Sequence, residues 1–163
     1  MENDSFILVT GGAGYIGSVV VKQLIDEKYK VIVIDDLRDG KAGAIHPEAI
    51  HYKFDFGNYD NLTKVFSSHK IFAVMHLAAS ANVPDSVINP FEYYNNNFNS
   101  SLVLLHVMKN HNVRKIIFSS TAAVYGNPEY LPIDEDHPKN PINPYGKSKL
   151  MVEQILEDFD RAY

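Results

Sequence analysis

The sequence predicts a doubly wound α/β fold, in which helices pack on a parallel sheet. Runs of β-branched and aliphatic residues alternate along the chain with segments whose apolar residues recur every three or four positions. The strand-like runs are apolar throughout, which is typical of parallel strands buried on both faces. No internal repeat or low-complexity tract interrupts this alternation. Together these observations favour a single parallel sheet.

Five strands and four helices are expected in order along the chain. The predicted strands are residues 6–9, 31–34, 51–54, 71–77 and 115–118. The predicted helices span about residues 15–27, 61–68, 90–110 and 144–163. Pro144 suits the first turn of the last helix, because N–H groups there make no hydrogen bond within the helix and proline has none to lose. Residues 38–47 and the proline-rich stretch 127–144 are predicted loops.

Composition limits the possible functions. A chain of 163 residues suits one domain, and the absence of cysteine excludes disulfides, thiolate metal sites and cysteine nucleophiles. A net charge of −5 without a basic stripe argues against nucleic-acid partners. The seven histidines lack metal-ligand spacing, so no metal is expected. No apolar run has membrane-spanning length, and the acidic N-terminus does not resemble a secretory signal, so we expect no membrane partner and a cytoplasmic protein.

A glycine-rich turn follows the first predicted strand. Gly11, Gly14 and Gly17 have the spacing GxxGxxG and open a helix. Glycines let the backbone approach a pyrophosphate closely, and a helix N-terminus favours negative charge. Any tight turn can use glycine, but the strand–turn–helix context favours dinucleotide binding.

An acidic residue at the end of the second strand indicates which dinucleotide. Asp35 comes 18 positions after Gly17, close to the spacing of the carboxylate that accepts the ribose hydroxyls. A carboxylate there repels a 2′-phosphate, so NAD is favoured over NADP. The alternative is a solvated pair formed with Asp36, and the nearby Arg38 and Lys41 weaken the discrimination.

Further strand ends supply candidate cofactor contacts. Asp55 is either a hydrogen-bond partner for an adenine amino group or a loop cap. The small residues of 77–79 let a cofactor lie against the backbone, or simply pack closely. The run 95–97 consists of three asparagines, which compete for backbone hydrogen bonds in a helix. It either contacts the cofactor or nearby loops, or forms a solvated polar patch.

The last predicted helix carries the candidate catalytic pair. Tyr145 and Lys149 are four positions apart and therefore share one helix face. A neighbouring ammonium favours the phenolate form of tyrosine, and a phenolate beside a dinucleotide suits alcohol oxidation. An exposed amphipathic pair is the alternative. Ser119, Ser120 and Thr121 end the fifth strand, where a hydroxyl would complete a proton-transfer set.

These residues carry a family resemblance. The chain resembles the extended short-chain dehydrogenase/reductases, and among them most closely the UDP-glucose 4-epimerases. The resemblance implies a Rossmann domain that binds NAD, with Thr121, Tyr145 and Lys149 as the catalytic set. It covers nearly the whole chain, through VTGGAGYIGS, VIVIDDL, VMHLAAS, PFEYYNNN, FSSTAAVYG and PYGKSKLMVEQIL. The cofactor contacts it implies, beside Tyr145 and Lys149, are Gly11, Gly14, Tyr15, Ile16, Gly17, Asp35, Asp36, Leu37, Asp55, Phe56, Leu77, Ala78, Ala79, Asn96, Ser119 and Ser120.

The resemblance also implies a reaction. Tyr145 would take the proton from the 4-hydroxyl of a UDP-sugar while hydride passes to NAD, and hydride would return to the opposite face of the 4-keto sugar. Thr121 would hold the reacting oxygen. Related dehydratases and decarboxylases place an acidic residue just after the strand-five hydroxyl. Here Ala122 and Ala123 follow Thr121, which favours epimerisation.

Two departures from the family qualify this expectation. Ala81 stands where many epimerases carry a lysine near the cofactor. The family also continues past the helix at 144–163 with a sixth strand and a smaller substrate domain, so residues 1–163 are expected to be an incomplete NAD-binding domain with little activity alone. The resemblance implies a homodimer formed through the helices near 90–110 and 144–163. Epimerisation of another UDP-sugar and a non-catalytic NAD-binding module stay open as alternatives.

Overall fold

The computed structural model describes residues 4–163 and contains one parallel sheet of five strands in the order β3-β2-β1-β4-β5. Every neighbouring pair in the sheet is parallel. This is the strand order of a dinucleotide-binding Rossmann fold, and it confirms the predicted fold class. The strands are β1 (Phe6–Thr10), β2 (Lys30–Ile34), β3 (Ile50–Tyr52), β4 (Ile71–His76) and β5 (Ile116–Phe118).

The helices alternate with these strands as predicted, with one additional α-helix, α3. They are α1 (Tyr15–Asp26), α2 (Tyr59–Ser68), α3 (Val83–Ile88), α4 (Pro90–Tyr93), a π-helical turn (Tyr94–Asn99), α5 (Ser100–Asn110) and α6 (Pro144–Ala162). Short 3-10 turns lie at Ala42–Ala44 and Ala122–Val124. Within residues 4–163, no helix has both the length and the apolar character needed to cross a membrane.

The chain divides into two compact units. The first unit comprises residues up to 79 together with 103–119, and contains the whole sheet. The central strands β1 and β2 are buried at four of their five positions each, because parallel strands inside a sheet are covered on both faces, whereas the edge strands β3 and β5 have no fully buried residue. One core cluster joins β1, β2 and α1 through Ile7, Val9, Val21, Ile25, Val31 and Val33.

The second unit comprises residues 80–102 and 120–163. Helix α6 is its central element and packs against α3, α4, the π-helical turn and the second 3-10 turn. Val152 on α6 and Tyr93 on α4 are buried, and the Tyr93 hydroxyl donates to the Asn82 carbonyl at 2.6 Å.

The segment predicted as a long helix over 90–110 is helical along its whole length, but it is not α-helical throughout. Residues 94–99 form a π-helical turn between α4 and α5, and periodicity alone does not distinguish such a turn from an α-helix. Helix α3 was not predicted, although the sequence carries a start signal for it. Asn82 caps α3 by accepting from the Asp85 N–H at 3.1 Å, and a proline occupies the first turn.

Candidate active site

The glycine-rich turn lies at the carboxyl end of β1, in the first unit. Gly11 has a φ of +74°, which disfavours any residue with a side chain. A Cβ at Gly11 would lie 2.7 Å from the backbone of Ala78, just after β4, and a Cβ at Gly17 would strike the Gly11 carbonyl oxygen. These two glycines therefore permit close backbone packing within the protein itself.

Gly14 differs from the other two, because the protein leaves room beside it. A Cβ there would meet only the Gly11 carbonyl oxygen, at 3.3 Å. Gly14 precedes α1, whose first-turn N–H groups on Tyr15 and Ile16 have no intrahelical acceptor. No acidic side chain lies in that first turn. The space, the N–H donors and the helix dipole all fit a pyrophosphate group.

Asp35 is tied to this turn. One oxygen of its carboxylate accepts from the Ala13 N–H, and the other from the Leu37 N–H, each at 2.9 Å. Leu37 has a φ of +64°, so the chain turns sharply directly after β2. A carboxylate can accept about four hydrogen bonds, which leaves Asp35 capacity for two ribose hydroxyls. Asp35 is thus a part of the turn as well as a candidate ligand.

The two neighbouring acids form an ion cluster on the surface. The Arg38 guanidinium lies 2.9 Å from the Asp36 carboxylate and 3.3 Å from that of Asp55. Asp55 also accepts from the Gly57 N–H at 2.8 Å, as the predicted loop cap would. Because two carboxylates engage Arg38, its charge is partly neutralised, and its expected effect on cofactor choice is small.

The residues after β4 are fixed by a buried threonine–histidine pair. The Thr10 hydroxyl and His76 Nδ1 are 2.6 Å apart, and the Ala78 N–H donates to the same hydroxyl oxygen at 3.3 Å. Leu77 bonds to the Thr10 carbonyl through its N–H. Phe56 is buried edge-on to His76, so what it offers a ligand is its main chain. The Ser119 N–H donates to the His76 carbonyl, which extends the β4–β5 pairing.

Helix α6 begins close to the second 3-10 turn, within the second unit. Asn143 caps the helix by accepting from the Gly146 N–H at 2.8 Å, and Pro144 occupies the first turn as predicted. A Cβ at Gly146 would lie 2.5 Å from the Ala123 carbonyl oxygen. Glycine between Tyr145 and Lys147 therefore lets the start of α6 approach the turn that follows Thr121.

The predicted proton-transfer set has available hydrogen-bonding groups. The Thr121 oxygen accepts from the Ala123 N–H at 3.2 Å, and its own proton is left for another acceptor. Within residues 4–163, the hydroxyl of the half-buried Tyr145 has no hydrogen-bond partner. Both hydroxyls can therefore address a ligand.

Lys149 is buried at 3% exposure, on the same face of α6 as Tyr145. Loss of water lowers the pKa of Lys149 to about 8, and the Glu153 carboxylate one turn later acts in the opposite direction. An amine whose pKa is displaced this far by burial is typical of a functional group.

The structure decides between the two interpretations of the asparagine run, and it adds Ser148, for which no role was predicted. The buried Asn97 amide accepts from the Ser80 N–H at 2.8 Å and donates to the Ser80 carbonyl at 3.0 Å and the Ser148 hydroxyl at 3.1 Å. Ser148 in turn donates to the Tyr145 carbonyl at 2.7 Å. Asn96 donates to the Ser80 hydroxyl at 3.0 Å. Asn96 and Asn97 therefore contact a loop, and Asn97 also contacts α6, whereas Asn95 is exposed and accepts from the Asn99 amide.

The Ser120 side chain is hydrogen-bonded to a carboxylate, that of Glu153. Its hydroxyl donates to one oxygen of Glu153, whose other oxygen lies 2.6 Å from the Lys139 ammonium. Toward a ligand, the Ser120 hydroxyl can act only as an acceptor.

Within residues 4–163, no group of three or more His, Asp or Glu side chains is arranged to hold a metal ion.

Comparison with known proteins identifies the class. Residues 7–163 match the family described as "NAD dependent epimerase/dehydratase family", and the chain belongs to that family. The resemblance expected from the sequence is thereby confirmed.

Similar proteins narrow the class. The UDP-glucose 4-epimerase of Azospirillum brasilense is 49% identical over 96% of this chain and 45% of its own length. The probable UDP-arabinose 4-epimerase 3 of Arabidopsis thaliana is 42% identical over 98% of this chain and 41% of its length. The crystal structure of UDP-glucose 4-epimerase from Bifidobacterium longum with NAD+ and UDP has a TM-score of 0.93 at 43% identity, over 97% of this chain and 50% of that one. The chain spans about half the length of the relatives it matches.

Proposed function

We propose that this chain is the NAD-binding part of an enzyme that epimerises a UDP-sugar at C4, interconverting UDP-glucose and UDP-galactose. The observation that carries the proposal is the arrangement within the second unit. Tyr145 and Lys149 share one face of α6, and Gly146 lets that helix pack closely on the turn that begins at Thr121. The Azospirillum relative and the Bifidobacterium structure support the choice of reaction.

NAD, when bound, supplies a reversible acceptor for the hydride at C4 of the sugar. The residues that fit its pyrophosphate are Gly14 and the first-turn N–H groups of Tyr15 and Ile16, and Asp35 has acceptor capacity for ribose hydroxyls. The further proposed contacts follow the family resemblance, through Asp36, Leu37, Asp55, Phe56, the backbone of 77–79, Asn96, Ser119 and Ser120.

The chain's own residues would handle the proton. Tyr145, as phenolate, takes the proton of the 4-hydroxyl, and returns it when the sugar is reduced again. Thr121 donates a hydrogen bond to the reacting oxygen. The Lys149 ammonium stabilises the phenolate, because the pair lies on one helix face in partly water-free surroundings.

Replacing Tyr145 by phenylalanine tests the proposal in the protein expressed at its full natural length. We expect kcat for UDP-galactose to fall about 100- to 10,000-fold, the usual contribution of a general base, while NAD binding persists. The control is Tyr130→Phe, which removes an exposed hydroxyl that donates to Asp134 within the proline-rich loop 127–144. Unchanged turnover in Tyr145→Phe would favour the alternative of a non-catalytic NAD-binding module.

A second candidate substrate has a specific basis. The Arabidopsis relative is named as a UDP-arabinose 4-epimerase, although it is less similar than the Azospirillum enzyme. Assaying the natural protein against UDP-galactose, UDP-arabinose and an N-acetylated UDP-sugar would rank them. A kcat/KM highest for UDP-arabinose would move the substrate assignment and leave the proposed chemistry intact.

The expected homodimer and cytoplasmic location belong to the same proposal. Support for a dimer is the apolar character of the helices near 90–110 and 144–163, where Leu102 is 37% exposed. Val152, an apolar residue of the second helix, is only 1% exposed and packs within the chain. Light scattering of the natural protein at micromolar concentration tests the dimer, and a monomer alone would contradict it.

A further inference from the structure

Glu153 occupies an unusual position on the helix that carries the candidate catalytic pair. It lies one turn beyond Lys149 and two turns beyond Tyr145, with its side chain 19% exposed. Both of its carboxylate oxygens are engaged, one by the Ser120 hydroxyl and the other by the Lys139 ammonium at 2.6 Å. One carboxylate therefore joins α6 to the residue before Thr121 and to the loop after the 3-10 turn.

The charge of Glu153 also acts on Lys149. Burial disfavours the ammonium form of Lys149, and the negative charge at Glu153 favours it. Elements packed against α6 carry other titratable side chains, namely Asp85 on α3, Glu92 and Tyr93 on α4, and Tyr94 in the π-helical turn. Asp85 accepts from the Asn89 amide, and Glu92 is exposed. Among the described residues, Glu153 supplies the charge that opposes the burial of Lys149.

We propose that Glu153 is a positioning residue that keeps Lys149 protonated and holds the Ser120–Thr121 segment against α6. The inference rests on the proposed function, because it assigns Glu153 a part in supporting Tyr145 through Lys149. Glu153 itself touches neither substrate nor cofactor in this proposal. Its two bonds fix the carboxylate in place, so its charge stays one helical turn from the buried ammonium.

A purely structural clamp is the competing explanation. Glu153 would then matter only because it ties Lys139 and the loop 126–143 to α6. Removing either partner of that ion pair would then loosen the loop and lower the activity similarly at every pH. A role through charge makes a different prediction, because the two partners carry opposite signs.

The decisive experiment compares Glu153→Gln with Lys139→Ala in the natural full-length protein. Glutamine keeps an acceptor for Ser120 but loses the charge, so Lys149 should lose its proton at a lower pH. We expect kcat at pH 8 to fall about 10-fold, with little change in KM. The alkaline limb of the pH–rate profile should shift to lower pH, by about one pH unit. Lys139→Ala removes the positive charge that partly neutralises Glu153. The carboxylate then favours the ammonium form of Lys149 more strongly, so the alkaline limb should shift to higher pH.

The controls separate this inference from the function on which it rests. Glu157→Gln makes the same chemical change one turn further along α6, at an exposed residue paired with Arg161, and should match wild type. Glu153→Asp keeps the negative charge, so the alkaline limb of its pH–rate profile should lie close to that of the wild type. If Glu153→Gln does not fold, the direction of the shift in Lys139→Ala still decides the matter.

Three results would overturn the proposal. They are a Glu153→Gln profile like that of Glu157→Gln, shifts of the same sign in Glu153→Gln and Lys139→Ala, and an unshifted limb in Lys139→Ala. If Tyr145→Phe abolishes turnover while one of these results appears, only the role of Glu153 fails. If Tyr145→Phe retains full turnover, the proposed function fails and this inference fails with it.

Discussion

The glycine turn of the first unit and helix α6 of the second are built on different physical grounds. In the turn, backbone meets backbone: side chains are missing at Gly11 and Gly17 because protein atoms already occupy the space. On α6, the candidate functional feature is a buried charge, Lys149, whose ammonium form is disfavoured by the loss of water on burial. The comparison predicts that substitutions in the turn lower stability, whereas substitutions of the charged residue lower activity and spare the fold.

Lys149→Met is the strongest test of this difference. Methionine fills similar space without a charge, so kcat of the full-length protein should fall about 100- to 1,000-fold with the loss of phenolate stabilisation. Stability should nevertheless rise at neutral pH, because removing a buried charge is often neutral or favourable. The matched control is Lys147→Met, an exposed lysine on the same helix.

The stability gain has a definite pH dependence. The pKa of Lys149 falls from 10.5 to about 8 on folding, so the unfolded chain binds more protons between these values. Wild-type stability therefore rises with pH across that window, and the burial penalty is fully present below pH 8. It amounts to about 3 kcal/mol at roughly 1.4 kcal/mol per pH unit. Urea titrations at pH 7 and pH 10 measure the effect, and an advantage of Lys149→Met that grows with pH would contradict it.

Gly11→Ala probes the other side of the comparison. The new Cβ would lie 2.7 Å from the Ala78 backbone at a φ of +74°, so strain and overpacking act together. We expect a loss of about 2–4 kcal/mol in the free energy of unfolding. The control is Gly43→Ala, since a Cβ at Gly43 meets nothing within 4 Å, and it should change stability by less than about 1 kcal/mol. Equal unfolding midpoints in urea for the two variants would remove the steric account of the turn.

The sequence predicts the features that depend on local patterns. The five strands, the proline at the start of α6, and the position of the glycine turn all follow from periodicity and turn chemistry. Gly146 lies between Tyr145 and Lys149 in the sequence. A glycine is needed there because a side chain would collide with the Ala123 carbonyl oxygen, and no helical pattern reveals that contact. Local rules do not contain such contacts.

The features that the sequence left open or did not indicate depend on partners distant in the sequence. Asn97 lies in the π-helical turn, and its amide is satisfied by Ser80 and Ser148, 17 and 51 positions away. Glu153 has the pattern of an ordinary surface residue on a helix, and its bond to Ser120 spans 33 positions. The one available signal was the asparagine run itself, because three helix-disfavouring residues in a helical segment require compensation.

Asp35→Asn carries the smallest expected effect. It should change both stability and cofactor binding, since Asp35 hydrogen-bonds to the glycine turn and is also a candidate ligand of the cofactor. Asparagine retains one acceptor oxygen for the Ala13 or Leu37 N–H but loses the charge that repels a 2′-phosphate. In the full-length protein we expect NAD affinity to fall about 10-fold and the preference over NADP to narrow, with a stability loss near 1 kcal/mol. Asp39→Asn, exposed in the same loop, is the control. Calorimetric titration with both nucleotides measures the change, and an unaltered preference would leave Asp35 with a purely structural role in the turn.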